Sequence, residues 1–175
     1  MENLHNLLLT RHSIRRYKDE PVDAADVRTI LEAALLAPSS KSGRPWQFVV
    51  VEDKEMLARM AECKQFGTKP ISTAAFAVVV TVDSTISDVY VEDATCAALL
   101  MHLQAADLGL GSCWIQVRNR FAADGEDSET VIRELLGIPD DISVECIVTF
   151  GHIDETRRPV DPDKLLWEKV HIGKW

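Results

Sequence analysis

The stretch TRHSIRRY, residues 10–17, gathers three arginines and a histidine within six residues of a chain whose formal net charge is −9. Its guanidinium, imidazole and hydroxyl groups suit a phosphate monoester, which they can hold through charge-assisted hydrogen bonds. The candidate ligands are Arg11, His12, Ser13 and Arg15. A solvated helix end is the alternative interpretation of the same residues. The stretch therefore predicts either a small-anion site or an exposed helix end.

Two other stretches combine small residues with an apolar segment. APSSKSGRPWQF, residues 37–48, predicts a loop whose hydroxyl and free backbone N–H groups could contact the polar edge of a flat ligand. An ordinary turn explains its proline, serines and glycine equally well. LGLGSCWIQ, residues 108–116, is a glycine-rich turn before an extended segment. Its glycines would let the backbone approach a ring system, or would simply end a helix and form a tight turn.

Familiar catalytic signatures are missing from the sequence. It contains no GxSxG elbow, no GxxxxGK[ST] phosphate loop, no HExxH pair and no GxGxxG after a predicted strand. We interpret Cys113 as an inert buried thiol and His102 as a satisfied core or interface histidine. Glu92 and Asp93 are interpreted as part of a solvated face or a cap. No acid–base pair stands out, so no catalytic side chain is predicted.

Composition restricts the class of protein. The chain has 175 residues, of which 46% are apolar and 27% charged, so we expect one globular domain over residues 1–175. A pI near 5 opposes nucleic-acid binding. No apolar run reaches the roughly 18 residues of a membrane span, and no signal peptide is recognisable, which predicts a cytoplasmic protein with no membrane partner. The spacing of the four cysteines predicts neither a disulfide framework nor a metal site.

Hydrophobic periodicity predicts alternating helices and strands. Helices are expected near the N-terminus, ending at the basic stretch, and after caps at Asp23, Asp53 and Ser128. A long helix over residues 87–108 is apolar on most of its circumference in its second half, which suggests burial by a second subunit. Buried strands are expected at WQFVVV and AAFAVVVTVD, an extended segment at GSCWIQV and a last strand at SVECIVTF. The alternation predicts an α/β domain with a mostly parallel or mixed sheet.

The three ligand-type stretches, in this order and at these distances, resemble the nitroreductase family of flavoproteins. RHSIR fits the family's R-[RH]-S-x-R motif, and residues 37–48 are similar to its [AS]-P-S-x-x-x-x-x-P-W-x-F loop. LGLGSCWIQ is similar to the small-subunit branch, and LLGIPDD before a strand and GH resembles the family's ending. The resemblance implies an α+β fold: a nitroreductase-like three-layer α/β/α sandwich with a central mixed sheet. It also implies an intertwined homodimer with FMN at the interface.

The resemblance also implies a set of cofactor ligands. The basic stretch of one subunit would grip the FMN phosphate and ribityl chain, the serine loop would come from the other, and the third stretch would lie against the ring. The implied residues are Arg11, His12, Ser13, Arg15, Pro38, Ser39, Ser40, Ser42, Trp114, Ile115 and Gln116. Ser42 stands where relatives often carry Asn. Arg157, Arg158 or Lys164 would supply a C-terminal phosphate contact, whereas Arg16 should point to an acidic neighbour or solvent.

The implied activity is an FMN-dependent oxidoreductase. It would transfer hydride from NADH or NADPH through flavin N5 to a nitroaromatic, quinone or similar small-molecule acceptor, ping-pong in one shared pocket. Two alternatives remain: a flavin-storage or sensing protein of the same fold, and an anion-binding module without flavin. The candidate covers of the flavin, residues 65–69 and 118–129, are polar and undistinctive, so the acceptor is not predicted. The tail, residues 154–175, would pack on the partner subunit or back on its own chain.

Overall fold

The computed structural model describes residues 3–175, in which four strands form one sheet of order β1-β2-β4-β3. The strands are β1 Trp46–Val51, β2 Phe76–Asp83, β3 Gly111–Gln116 and β4 Ile142–Gly151. Strand β2 is central and buried on both faces, as predicted. Among the described strands, β1 pairs with β2 alone, and Gln47 and Val50 on it are exposed. The expectation of a buried strand at WQFVVV is therefore wrong.

The three strand pairings are antiparallel. The expectation of a mostly parallel or mixed sheet is wrong for these four strands, and parallel pairing within residues 3–175 is limited to an isolated bridge between Ser13 and Ser112. The sequence misleads here because the central strands are covered on both faces. Such strands show continuous apolar runs, a pattern that is more common in parallel sheets and does not encode strand direction.

Helices cover both faces of the sheet. Helices α2 Ala24–Leu35 and α5 Tyr90–Asp107 pack on one face, where Phe76 and Phe150 stack with ring centroids 4.7 Å apart. Helix α1 Leu4–Thr10 lies beside α5. Helices α3 Lys54–Met60, α4 Lys69–Thr73 and α6 Ser128–Leu136 belong to the opposite face. The architecture is the expected α+β three-layer sandwich.

The ends of the helices show which predicted capping residues are correct. The side chains of Asp23 and Asp53 accept hydrogen bonds from the backbone at the starts of α2 and α3, as predicted. Asp127, rather than Ser128, caps α6, because the Ser128 hydroxyl donates to the Cys63 carbonyl at 2.6 Å. Val27, Ile30 and Ala34 of α2 are buried, whereas Leu35 is exposed.

The long helix begins at Tyr90 rather than at residue 87. Its C-terminal end matches the expected glycine stop: Gly109 has a φ of 74°, and the Leu110 N–H donates to the Ala105 carbonyl at 2.8 Å. This is a Schellman ending, which needs a left-handed residue that glycine adopts without a Cβ clash. The stop places the beginning of β3 immediately beyond the helix.

The C-terminal tail remains on the surface of the chain. Residues 157–175 are exposed, with short 3₁₀ turns at Pro162–Lys164 and Trp167–Lys169. A hydrogen bond from the Val160 N–H to the Leu9 carbonyl, 2.8 Å, ties the tail to α1. Leu166, Trp167, Val170 and Trp175 are each more than half exposed, so these apolar residues of the tail are not buried by their own chain. Among the described helices, none combines the length and apolarity that a membrane crossing requires.

Candidate functional site

The basic stretch runs along the outer edge of β3. Helix α1 ends at Thr10, and the Ile14 N–H then donates to the Ser112 carbonyl at 2.9 Å. Gly111 permits this approach, because a Cβ there would lie 2.8 Å from Cγ2 of Ile14. The fold therefore brings the RHSIR and GSCWIQ stretches, separate in sequence, side by side.

A cavity of about 360 Å³ lies where these two stretches meet the end of α5. Arg11, His12, Ser112 and Arg157 contribute polar groups to it, and Glu155 lies at the same wall. The Glu155 carboxylate accepts the Arg15 backbone N–H at 2.6 Å and pairs with Arg157 at 3.0 Å. These contacts, the backbone hydrogen bond first, lower the pKa of Glu155. With Glu155 ionised, two guanidinium groups still give the cavity a net positive charge.

His12 has a buried ring nitrogen without a hydrogen-bond partner among the described residues. It lines the cavity, and its Nε2 is shielded from water and has no hydrogen-bond partner within residues 3–175. A buried polar atom without a partner is costly unless something else satisfies it. Arg15 is exposed, and its guanidinium reaches the Ser13 carbonyl at 3.5 Å. Arg16 donates instead to the Asp154 carbonyl at 3.0 Å and is not part of the cavity lining.

His102 contacts Ser112, one of the residues that line the cavity. Its Nδ1 lies 2.7 Å from the Ser112 hydroxyl oxygen, and its ring stacks with Trp114 at a centroid distance of 6.5 Å. Burial, assisted by the charge of Arg11, lowers the pKa of His102 to about 4. The imidazole is therefore neutral at physiological pH, which confirms it as a satisfied core histidine. Burial also raises the pKa of Cys113, so its thiol is a poor nucleophile.

The outer edge of β3 presents backbone amides. The Ser112 carbonyl faces away from β4, and the alternation of a strand gives Trp114 and Gln116 the same orientation. The Trp114 indole donates to Gln116 Oε1 at 2.9 Å, which fixes both side chains. Ile115 pairs with Ile147 and its side chain is buried, so it offers neither side chain nor edge amide to this side.

The serine loop lies at the other end of α5. The Ser40 N–H donates to Asp93 Oδ1 at 2.8 Å, and the Ser87 hydroxyl donates to Oδ2 at 2.8 Å. Asp93 is buried, so the prediction of a solvated face is wrong. Its carboxylate connects the serine loop to the helix. Pro38 and Ser42 are exposed, and Ser39 and Ser40 are half-buried.

The backbone of this loop is strained. Lys41, Ser42 and Arg44 have φ angles of 50°, 56° and 50°, a left-handed conformation that is unfavourable for residues with a Cβ. Such strain concentrates at ligand clamps and similar sites. Next to the loop, the buried indole nitrogen of Trp46 has no hydrogen-bond partner among the described residues.

The serine loop and the cationic cavity do not meet within one chain. Asp93 holds the serine loop near the first turn of α5. Ala106, in the last turn of α5, and Gly109, just beyond the helix, line the cavity. Ala106 follows Asp93 by thirteen positions along the helix, or about 20 Å at 1.5 Å per residue. Two of the predicted ligand stretches therefore adjoin each other, and the third is remote.

The three basic residues of the tail are placed differently. Arg157 lines the cavity, while Arg158 is exposed and outside its lining. Lys164 pairs with Asp161 at 3.4 Å, and its side chain is largely exposed. Arg157 is thus the tail residue that the fold brings to Arg11 and His12, a choice that the sequence left open.

A second cavity, of about 460 Å³, lies at the other end of β3 between the two candidate cover segments. Lys64 Nζ donates to the Gln116 carbonyl at 3.3 Å, and the Gln65 N–H donates to the Phe121 carbonyl at 3.1 Å. Phe66 and Phe121 are 74% and 58% exposed. Sequence reasoning overlooked these aromatic rings, although each of the two polar segments contains one phenylalanine that a solvated loop does not require.

Comparison with known proteins places the chain in a family. The sequence model of the nitroreductase family matches residues 8–83 and 64–152. A protein of Archaeoglobus fulgidus, named as a candidate NADH dehydrogenase/NAD(P)H nitroreductase, is 38% identical over 180 residues, covering 100% of both chains. The chain belongs to the nitroreductase family.

Solved structures of the nitroreductase family show the same fold. An FMN-dependent nitroreductase of Clostridium difficile is 44% identical, with a TM-score of 0.96, over 98% of this chain and 99% of that one. A candidate nitroreductase of Desulfovibrio desulfuricans, solved in complex with FMN, is 28% identical, with a TM-score of 0.72, over 91% and 94% of the two chains. The family resemblance drawn from the three sequence stretches is therefore confirmed.

Proposed function

We propose that the protein is an FMN-dependent NAD(P)H oxidoreductase that reduces a nitroaromatic, quinone or similar acceptor. The observation that carries this proposal is the position of two cavities along the outer edge of β3. The cationic cavity, lined by Arg11, His12 and Arg157, lies at Ser112, and the aromatic cavity, lined by Phe66 and Phe121, lies near Gln116. Four residues of strand separate these ends, or about 13 Å. A ligand with a phosphate at one end and a flat ring system at the other fits such an arrangement.

The residues of the cationic cavity fit the phosphate of FMN. Arg11 and Arg157 supply guanidiniums, and His12, whose buried Nε2 has no hydrogen-bond partner among the described residues, lines the same cavity. Further along, the edge amides of Trp114 and Gln116 can donate to the polar edge of the ring. FMN, when bound, supplies two-electron exchange between donor and acceptor. The Clostridium difficile relative is named as FMN-dependent, which supports the assignment.

The protein's own groups bind and orient the flavin and stabilise its binding site. The neutral imidazole of His102 holds the Ser112 hydroxyl. The side-chain amide of Gln116 donates to the Glu145 carbonyl, and the Glu145 carboxylate pairs with Arg118. None of these groups needs to exchange a proton with substrate, which agrees with the missing acid–base signatures. Reductant and acceptor would use the aromatic cavity in turn, and a cytoplasmic location would supply NADH or NADPH.

A homodimer is part of the proposal. The serine loop lies about 20 Å from the cavity of its own chain along α5, and we infer that a partner supplies the loop that contacts the same FMN. The exposed tail, residues 154–175, would pack on that partner, and residues 1–175 would form one domain. Its exposed apolar side chains support this packing; they include Leu165, Leu166, Trp167, Val170 and Trp175.

Reconstitution tests the proposal. The purified protein, stripped and then titrated with FMN, should bind one FMN per chain and sediment as a dimer. NADH or NADPH should then bleach the visible flavin absorption under anaerobic conditions. Bound flavin that neither nucleotide reduces would instead favour a storage or sensing protein. Failure to bind FMN would overturn the assignment and leave the anion-binding module.

A further inference from the structure

The aromatic cavity carries two positive charges without a balancing carboxylate. Lys64 and Arg120 both line it, and neither forms an ion pair with a residue that the structure describes. Arg118, close by in sequence, is different because its guanidinium pairs with the buried Glu145 at 2.7 Å. In a chain with a net charge of −9, an uncompensated cationic pair is a local feature that composition does not explain.

Lys64 is held at the ring-binding end of β3. Its ammonium donates to the Gln116 carbonyl at 3.3 Å. Partial burial lowers the pKa of Lys64, and the nearby charge of Arg120 adds to that shift. A bound anion would oppose this lowering of the pKa, because an opposite charge favours the protonated amine. The Lys64 position is therefore complementary to a negatively charged ligand.

The two phenylalanines add a preference for a flat ring. Phe66 and Phe121 belong to segments that are joined by the Gln65–Phe121 backbone hydrogen bond, and both rings border the cavity. Large exposed aromatic side chains on both sides of a cavity offer faces for stacking. Asn119 and Gln65 complete the lining with uncharged polar groups.

We propose that the acceptor of this protein is a flat aromatic anion, with its carboxylate or sulfonate held by Lys64 and Arg120 and its ring between Phe66 and Phe121. This inference rests on the proposed function. For an aromatic nitro acid, ArNO2 + NAD(P)H + H⁺ gives ArNO + NAD(P)⁺ + H2O. The nicotinamide loses two electrons, and the nitro group gains them and releases one oxygen as water.

Equilibrium binding to the FMN-loaded, oxidised protein tests the inference without turnover. Calorimetry would compare 4-nitrobenzoate with its uncharged analogue 4-nitrobenzamide. The wild type should bind the anion more tightly. Lys64→Met and Arg120→Gln should each raise the Kd of 4-nitrobenzoate about tenfold, as expected for loss of a charge-assisted contact. The Kd of 4-nitrobenzamide should change less than about threefold in the same variants.

Controls separate this inference from the proposed function. Arg59→Gln removes an exposed charge of α3 outside the cavity lining and should leave both Kd values unchanged. Phe121→Leu should weaken both ligands to a similar degree. Equal binding of the two ligands by the wild type, or equal losses in Lys64→Met, would overturn the inference while reduction by NAD(P)H still held. A selective rise in the KM for NADH would assign the cations to the reductant's phosphates and also overturn it. Failure to bind FMN would overturn both proposals.

Discussion

His102 Nδ1 lies 2.7 Å from the hydroxyl oxygen of Ser112, and both residues are buried beneath the cationic cavity. The contact links the long helix α5 to the first residues of β3. Because burial keeps this imidazole neutral, the contact makes the stability of the fold depend on pH.

Acidification should destabilise the protein through His102. The unfolded chain binds a proton below about pH 6.5, whereas the folded chain resists until about pH 4, so the free energy of unfolding falls as pH decreases between these values. From pH 7 to pH 5 the loss from this group is about 2 kcal/mol. Urea denaturation of the wild type and His102→Gln at both pH values checks this. The variant should lose about 2 kcal/mol less between them; identical losses would contradict the prediction.

The Arg118–Glu145 pair should be costly to break. Glu145 is buried, and Arg118→Met leaves its carboxylate without the 2.7 Å partner. We expect a loss of roughly 3–5 kcal/mol in the free energy of unfolding. Arg28→Met, which breaks the exposed pair with Glu32, is the control and should cost under about 1 kcal/mol. Equal losses in the two variants by denaturant titration would show that burial of the pair is unimportant.

Gly111→Ala should separate the basic stretch from β3. The new Cβ would lie 2.8 Å from Ile14 Cγ2 and 2.9 Å from Ile14 Cβ, so the backbone must shift. Overpacking of this kind costs about 1–3 kcal/mol, and the displaced stretch should bind FMN more weakly. Ile14→Ala removes Cγ2 but keeps Cβ, so a double-mutant cycle with this variant should show partial favourable coupling in the free energy of unfolding. Strict additivity would contradict the close contact.

Arg157 and Arg158 form a natural matched pair. Arg157 lines the cavity, and Arg158 is exposed outside it. Arg157→Ala should raise the Kd for FMN at least about tenfold, because it removes a charged donor and the ion pair with Glu155. Arg158→Ala should change it less than about threefold. Flavin fluorescence titration of the apoprotein measures both, and the reverse order would exclude Arg157 as the phosphate ligand.

Local signals in the sequence were reliable where a single side chain determines the structure. The carboxylates of Asp23 and Asp53 cap helices at the predicted positions, and the left-handed Gly109 and Gly137 end α5 and α6. Ser128 failed as a cap because its hydroxyl has a tertiary partner, the Cys63 carbonyl, that local spacing cannot reveal.

Long-range relationships were harder to predict. The direction of the strands was missed because apolar runs do not encode it, and the edge position of β1 follows only from the sheet order. Asp93 was assigned to a solvated face or a cap because its partners Ser40 and Ser87 lie outside the helix, where local spacing does not reveal them. The ligand stretches were recognised as motifs. Their separation by the length of α5 could be seen only in three dimensions.

The central claim is that one protein-bound flavin passes electrons from NAD(P)H to an acceptor. Anaerobic double-mixing absorbance spectroscopy tests it most directly: the FMN-loaded protein is mixed first with one equivalent of NADH or NADPH and then with 4-nitrobenzoate. The account predicts that the visible flavin absorption disappears in the first mixing and returns in the second. Flavin that stays oxidised with both nucleotides, or that stays reduced with every nitroaromatic and quinone tested, would contradict it.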